Sequence, residues 1–304
     1  METHRFDGRV AVVTGAGRGL GRAYATLLAR RGAKVVVNDL RVTTDGGFEA
    51  SASPADECVS HIRREGGAAV ADYSDISTPV GASDLIGRAL SEFGSLDILV
   101  NNAGIVEYHP FEAVSSDQFY RTLAVNAGGH FFTTQAAWLY LKAQGYGRIV
   151  MTTSGVALYG MLDAYDYACS KGAIVGLSKC LALEAAGSGV IVNAVSPYAF
   201  TRMGDHITDT EIRRRSLIAL QPDFVAPLVG WLCHESCTVN GEIFDVGGGR
   251  AARVFIGETA GIQNRAMTIE TVAASLGKIL DETNYKVPAE TYEVTATMMA
   301  QNEE

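Results

Sequence analysis

Seven short runs of mostly apolar, β-branched residues recur along the first four-fifths of the chain, each followed by a longer amphipathic stretch. Val10–Thr14, Lys34–Asn38, Ala68–Ala71, Ile98–Asn101, Arg148–Thr152, Val190–Val195 and Glu242–Val246 read as strands covered on both faces. Leu20–Arg31, Ala55–Glu65, Val80–Phe93, Asp117–Ala143, Tyr165–Ala186 and Phe224–His234 read as the helices between and after them, with Gly32, Gly66, Gly94 and Gly145 where C-caps belong. A repeat of this kind builds an α/β fold with a doubly wound parallel sheet. No composition break marks a linker, so residues 1–250 are expected to form one domain. Residues 40–54, with Gly46-Gly47 and many Ser, Thr and Asp, read as an extended loop. Residues 251–304 are expected to be a C-terminal extension packed on the same domain or on a partner subunit. Within it, Ile269, Val272, Leu276, Ile279 and Leu280 lie close to helical spacing.

With 304 residues, 47% hydrophobic and 19% charged, the chain has the makeup of a globular protein with a large core. A net charge of -9 argues against a nucleic-acid partner, which selects basic surfaces. No apolar run approaches the roughly 20 residues that cross a bilayer, so no membrane association is expected. Met1–Gly8 has no signal-peptide core, and Gln301–Glu304 is neither an anchor nor a peroxisomal tripeptide; the expected location is cytoplasmic. Cys58, Cys169, Cys180, Cys233 and Cys237 are expected to be buried free thiols. Cys233-His234-Glu235-Ser236-Cys237 lacks a second ligand pair, so no metal site is expected.

The first strand runs directly into Thr14-Gly15-Ala16-Gly17-Arg18-Gly19-Leu20-Gly21, and a helix follows. Glycines here permit a tight turn and close approach of backbone N–H groups to a pyrophosphate, at a helix end that favours anions. This is a Rossmann-type nucleotide site. Asp39 closes the second strand some twenty residues later, where a carboxylate accepts from both ribose hydroxyls and repels a 2′-phosphate, which points to NAD. Tyr167 and Lys171 lie four apart on one helix face. A free phenol, at about 10, is too weak an acid near neutrality, and an adjacent ammonium lowers it. Tyr165 has Cys169 at the same offset and lacks that partner. Ser154 ends the fifth strand, at the sheet edge where ligands bind; its hydroxyl suits an alkoxide, although Ser154-Gly155 also suits an ordinary turn.

The spacing Gly15-x3-Gly19-x-Gly21, then Asn101-Asn102-Ala103-Gly104, Ser154 and Tyr167-x3-Lys171, resembles the short-chain dehydrogenase/reductase family over about residues 8–250. The resemblance implies catalytic roles for Asn126, Ser154, Tyr167 and Lys171. It implies cofactor contacts from Gly15, Arg18, Gly19, Leu20, Gly21, Asp39, Asp75, Asn102, Ala103, Gly104, Tyr167, Lys171, Pro197 and Thr201. In it Asp75 reads the adenine amino group, although a turn or helix N-cap suits that residue too. Asn101 holds adjacent strands together, and Asn126 kinks the long helix and anchors a water leading to the lysine. His130, one turn on, is expected in the core or an interface. Arg18 occupies a position that is often basic in NADP-using relatives and so opposes Asp39. Tyr198 replaces the usual glycine after Pro197, and Thr201 stands one residue early.

Further segments, among them Arg5–Val10, Val37–Leu40, Gly145–Ile149, Val225–Leu228 and Trp231–Cys237, resemble the branch of this family found in peroxisomal multifunctional enzyme type 2. That resemblance implies oxidation of (3R)-hydroxyacyl-CoA thioesters, of 17β-hydroxysteroids, or of both. Arg202, Arg213, Arg214, Arg215, Arg250 and Arg253 are candidates to meet CoA phosphates or are simply solvated. A reductase of an unrelated small ketone and a non-catalytic NAD-binding regulator are the alternatives. The family also implies a homodimer or homotetramer assembled through Asp117–Ala143 and Tyr165–Ala186.

Overall fold

The structure, a computed structural model, describes residues 4–40, 53–201 and 209–300. Arg202 and positions 41–52 of the expected loop lie outside the described residues. Seven parallel strands, β1 (Val10–Thr14), β2 (Lys34–Asn38), β3 (Ala68–Asp72), β4 (Ile98–Asn101), β5 (Gly147–Thr152), β6 (Val190–Tyr198) and β7 (Ile243–Gly247), form one sheet with β8 (Arg250–Val254) at its edge. Their order is β3-β2-β1-β4-β5-β6-β7-β8. The fold is therefore the α/β, Rossmann-type doubly wound sheet expected from the repeat. Strand order reverses between β1 and β4, and a crevice opens where the connections leave these two strands in opposite directions.

The helices are α1 (Gly19–Arg30), α2 (Pro54–Arg64), α3 (Pro79–Phe93), α4 (Ser116–Leu123), α5 (Gly129–Gln144), α6 (Gly155–Tyr159), α7 (Tyr165–Glu184), α8 (Thr210–Ala219) and α9 (Ala226–Cys233). Local chemistry fixes their ends. Ser53 and Asp56 cap α2 reciprocally with Pro54 in its first turn, and Gly94 and Gly145 close α3 and α5 in the left-handed conformation. β1, β2 and β4 contribute Val12, Val13, Val35, Val36, Leu99 and Val100, all wholly buried beneath helices on both faces.

Four features depart from the expected elements. The long helix expected over Asp117–Ala143 is interrupted by a π-helical turn, Ala124–Gly128, which separates α4 from α5. β6 continues three residues beyond its expected end because Ser196–Tyr198 pair with Asp245–Gly247. β8, α6 and α8 had no sequence counterpart, being short or polar. Cys58, Cys233 and Cys237 are buried as expected, but Cys169 and Cys180 are exposed, three helical turns apart on the outward side of α7.

The chain divides into two compact units, Met1–Arg253 and Val254–Glu304. In the second, α10 (Ile269–Ile279) is N-capped by Thr268 and precedes α11 (Thr291–Ala300). A bridge between Glu258 and Lys286 and a stacked Phe255–Tyr285 pair organise that unit.

Asn101, fully buried at the end of β4, was expected to tie adjacent strands; it ties a helix instead. Its amide donates to Thr134 Oγ1 at 2.9 Å and accepts from Thr133 Oγ1 at 2.7 Å, because β4 stops there and α5 crosses its end. Asn101→Ala, which leaves buried groups unpaired, should destabilise the protein by about 1–3 kcal/mol with an unchanged denaturant slope in urea unfolding.

Candidate active site

The turn after β1 is shaped by what a side chain would strike. Gly15 has φ +61°, and a β-carbon there would lie 2.8 Å from Ala103 Cα. At Gly21 it would run into the Gly15 carbonyl oxygen, and at Gly19 (φ +53°) it would lie 3.3 Å from the Thr201 methyl carbon. Thr201 thus sits over the glycine turn despite its early position in the sequence. Gly17 was not singled out in the spacing, yet its N–H donates to Asp39 Oδ2 at 2.9 Å, and a β-carbon would strike both Asp39 and Pro54. The signal was available: a carboxylate ending β2 needs a donor, and a bare glycine lets it approach.

Asp39 is thereby fixed beside the glycine turn. The N-cap of α1, the exposed Arg18, makes no side-chain cap, and the first turn holds no acidic residue. Its leading N–H groups are left for an anion. Opposite, Asn102 Nδ2 donates to the carbonyls of Thr14 (2.9 Å) and Gly15 (3.2 Å), while Thr14 Oγ1 accepts from the N–H of Asn102 and Ala103. Asn102 and Thr14, rather than Asn101, lock β1 to β4. Asp75 is exposed and accepts from Ser77 N and Oγ at 3.0 and 2.7 Å, in a turn that leads towards α3.

The second half of the crevice gathers Ser154, Tyr167, Lys171 and Asn126. Ser154 follows β5 and caps α6 by accepting from Val156 N at 3.2 Å, and its hydroxyl lies near enough to the Tyr167 phenol to favour the phenolate. Burial pushes that phenol up to about 12, against the opposing pull of Ser154. One turn along α7, Lys171 is 2% exposed, donates to the Thr152 carbonyl at 2.8 Å and holds its Nζ 5.7 Å from the Tyr167 ring centre. Burial lowers its amine to about 7. Each group alone is thus driven toward neutrality, and a proton lost from the phenol leaves an anion beside a potential ammonium.

Asn126, in the π-helical turn, is wholly buried. Its Oδ1 accepts from Ile105 N at 2.8 Å, and its Nδ2 donates to Ile105 O (3.0 Å) and Ser170 Oγ (2.9 Å). It thus couples the helix break to α7 at the residue preceding Lys171. A β-carbon on Gly104 would lie 3.2 Å from Asn126 Oδ1 and 3.4 Å from Lys171 Nζ, so this glycine is what admits both groups. Asp166 went unnoticed in the sequence: fully buried in the first turn of α7, it accepts from Thr122 Oγ1 at 2.7 Å and from the Tyr167 N–H, anchoring α7 to α4. Pro197 ends the crevice on β6, and the Tyr198 hydroxyl packs against Gly155, next to Ser154.

Among the candidate arginines, Arg214 and Arg215 pair with Glu211, Arg253 with Glu242, and Arg213 stacks on Phe200. Asp245 pushes the Tyr159 phenol up and burial pushes up that of Tyr198; Arg250 is near enough to both to oppose this without reversing it. Among the described residues, no cluster of His, Cys, Asp or Glu is arranged to hold a metal ion.

Comparison with known proteins accords with this geometry. Residues 9–212 match the family model of the short chain dehydrogenases. The chain is 42% identical to mouse peroxisomal multifunctional enzyme type 2 over 295 residues, which is 96% of this chain and 39% of that protein. It superposes on the structure of full-length peroxisomal multifunctional enzyme type 2 from Drosophila melanogaster with a TM-score of 0.82 and 34% identity, covering 98% of this chain and 50% of that one. A 7α-hydroxysteroid dehydrogenase complexed with NADH and 7-oxo glycochenodeoxycholic acid gives a TM-score of 0.72 at 31% identity, covering 81% of this chain and 95% of its own. The chain thus spans half or less of both multifunctional enzymes. It belongs to the short-chain dehydrogenase/reductase family of oxidoreductases, which act with a nicotinamide cofactor.

Proposed function

We propose that this protein is an NAD-dependent dehydrogenase that interconverts a secondary alcohol and a ketone, with (3R)-hydroxyacyl-CoA thioesters, 17β-hydroxysteroids or both as its substrates. The observation that carries the reading is the Tyr167 phenol, with the Ser154 hydroxyl near enough to favour its phenolate and the buried Lys171 amine one helical turn away. The glycine turn and the α1 N-terminus fit a pyrophosphate, and Asp39 stands where ribose hydroxyls would meet it. Gly19, Leu20 and Gly21 would hold the phosphates, Asn102 and Ala103 would shape the opposite wall, and Pro197 and Thr201 would face the nicotinamide. The cofactor supplies the hydride acceptor or donor. Ser154 holds the substrate oxygen, Tyr167 takes or returns its proton, and Lys171 stabilises the phenolate while holding a ribose.

The likeness to multifunctional enzymes type 2 and to the hydroxysteroid dehydrogenase supports substrates with a large apolar body. So does the segment between Ser154 and Tyr167, which exposes Tyr159 at the end of α6 and Met161 and Leu162 in the loop that follows. Assembly as a homodimer or homotetramer fits the apolar residues exposed on α5 and α7, among them Phe131, Leu139 and Leu183.

Initial rates should rise with NAD and a (3R)-hydroxyacyl-CoA or a 17β-hydroxysteroid; turnover of neither would sink the substrate assignment. Tyr167→Phe should abolish that turnover while NAD binding, followed by calorimetry, stays nearly intact. Loss of both would make Tyr167 structural. NAD should exceed NADP in kcat/KM by at least about tenfold, and Asp39→Ser should narrow the gap, since removing the carboxylate removes its repulsion of a 2′-phosphate. A wild-type preference for NADP would overturn the cofactor assignment.

The direction of pH dependence follows from the two buried groups. Alcohol oxidation needs the phenolate, so its kcat/KM should rise with pH, whereas ketone reduction needs the phenol and should fall. Lys171→Met removes the charge that favours phenolate and should move the oxidation limb up by about one pH unit or more; an unmoved limb would separate Lys171 from the chemistry.

A further inference from the structure

His130 is a wholly buried imidazole for which the reaction above has no use. It lies on α5 near Asn126, and its Nε2 accepts from the Thr152 N–H at 3.3 Å. The contact exists because the sheet is uneven there. Asn101, the last residue of β4, pairs with Met151, so Thr152 at the end of β5 extends past its neighbour on that side. A residue in a strand points its N–H and its C=O the same way. Both groups of Thr152 therefore face the gap beyond β4: the N–H meets His130 and the C=O meets Lys171 Nζ at 2.8 Å. On the other side, Thr153 N bonds to Val195 O and Thr153 Oγ1 donates to the Lys171 carbonyl.

We propose that His130 is a positioning residue: by accepting from the Thr152 N–H it replaces the missing strand partner and keeps the Thr152 carbonyl aimed at the Lys171 ammonium. The inference rests on the reading of Tyr167 and Lys171 given above. An amide N–H only donates, so Nε2 must be unprotonated and the ring proton must sit on Nδ1. Burial, reinforced by Lys171, the charged group whose field reaches the ring, holds the imidazole well below its ordinary value and hence neutral. The backbone of Asn101 and Asn126 opposes this without reversing it. A protonated His130 would lose the bond to Thr152 and place a second cation beside Lys171.

Two measurements on the full chain test this without turnover. Imidazole 15N shifts of the wild type, with the His130 signals assigned by their loss in His130→Gln, should report the neutral Nδ1–H form from pH 5.5 to 9. An Nε2–H form, or titration inside that range, would overturn the proposal. Lys171 can be titrated through its 13C-labelled side chain. Its midpoint should fall by roughly one pH unit in His130→Phe, which fills the space but accepts nothing, and stay at the wild-type value in His130→Gln, whose amide oxygen reaches the same N–H. Equal midpoints in the wild type and His130→Phe would overturn it as well. With substrate, His130→Phe alone should shift the pH profile of kcat, a readout that mere loss of stability leaves in place. The two readings fail separately: if Tyr167→Phe still turns over, the proposed function falls; if it does not while the His130 measurements come out negative, only the present inference falls.

Discussion

Burying a lysine amine is the costly act around which the site is arranged. Taking one such charge out of water costs several kcal/mol even after the protein relaxes, and removing its compensating groups makes the cost larger. Lys171 meets that cost with the Thr152 carbonyl, with Gly104 left bare to make room, and with a neighbouring phenol that becomes an anion when it loses its proton. None of these groups is close to Lys171 in sequence except Tyr167. The sheet brings them together because β5 ends where α7 passes over it, so a strand-end carbonyl, otherwise without a partner, becomes the ammonium's acceptor.

The cofactor half of the crevice uses the opposite economy. There the useful groups are backbone N–H donors, and the sequence around them minimises side chains instead of supplying them. Gly15, Gly17 and Gly21 each sit where a single β-carbon would strike Ala103, Asp39 or the Gly15 carbonyl. Thr14 and Asn102 then hold the turn against β4, so the glycines remain conformationally defined although they lack side chains. A turn rich in glycine would by itself be loose; pinned from β4, it becomes a preformed anion site.

The parts of this arrangement legible in the sequence are those whose signal is local. A strand leading into Gly15-x3-Gly19-x-Gly21 and a Tyr and Lys one turn apart are patterns over a few residues, and both fell where expected on the fold. Partners across the sheet were not legible in the same way. Asn101 and Asn102 are adjacent and chemically identical; which of them binds β1 and which binds α5 depends on where β4 stops, and hydrophobic periodicity does not specify a strand end to one residue. Gly17 and Asp166 escaped notice for the same reason, since their importance comes from Asp39 and Thr122, which are 22 and 44 positions away. Cys169 and Cys180 read as buried because free thiols in helices usually are, and composition could not say which side of α7 faces outward.

The interrupted helix shows how burial and chemistry share one element. Over its second half α5 presents Ala137, Trp138 and Leu141 to the core, an ordinary apolar stripe. Toward its start, and in the π-helical turn before it, the buried residues are polar: Asn126, His130, Thr133 and Thr134. Such a run would be destabilising against an apolar layer, because each group needs a partner once it leaves water. Here the partners are the ends of β4 and β5 and the backbone of Ile105, which the sheet leaves unsatisfied at its carboxyl edge. Apart from His130 Nδ1 and Thr152 Oγ1, which have no hydrogen-bond partner among the described residues, the polar half of the helix and the open edge of the sheet therefore satisfy each other. The π-helical turn, by adding one residue to the helix, lets Asn126 reach Ile105 and Ser170 while His130 still reaches Thr152. A regular α-helix through the same sequence would rotate one of these side chains away from its partner by about 100°. The π-helical turn between α4 and α5 is thus a geometric requirement of the site.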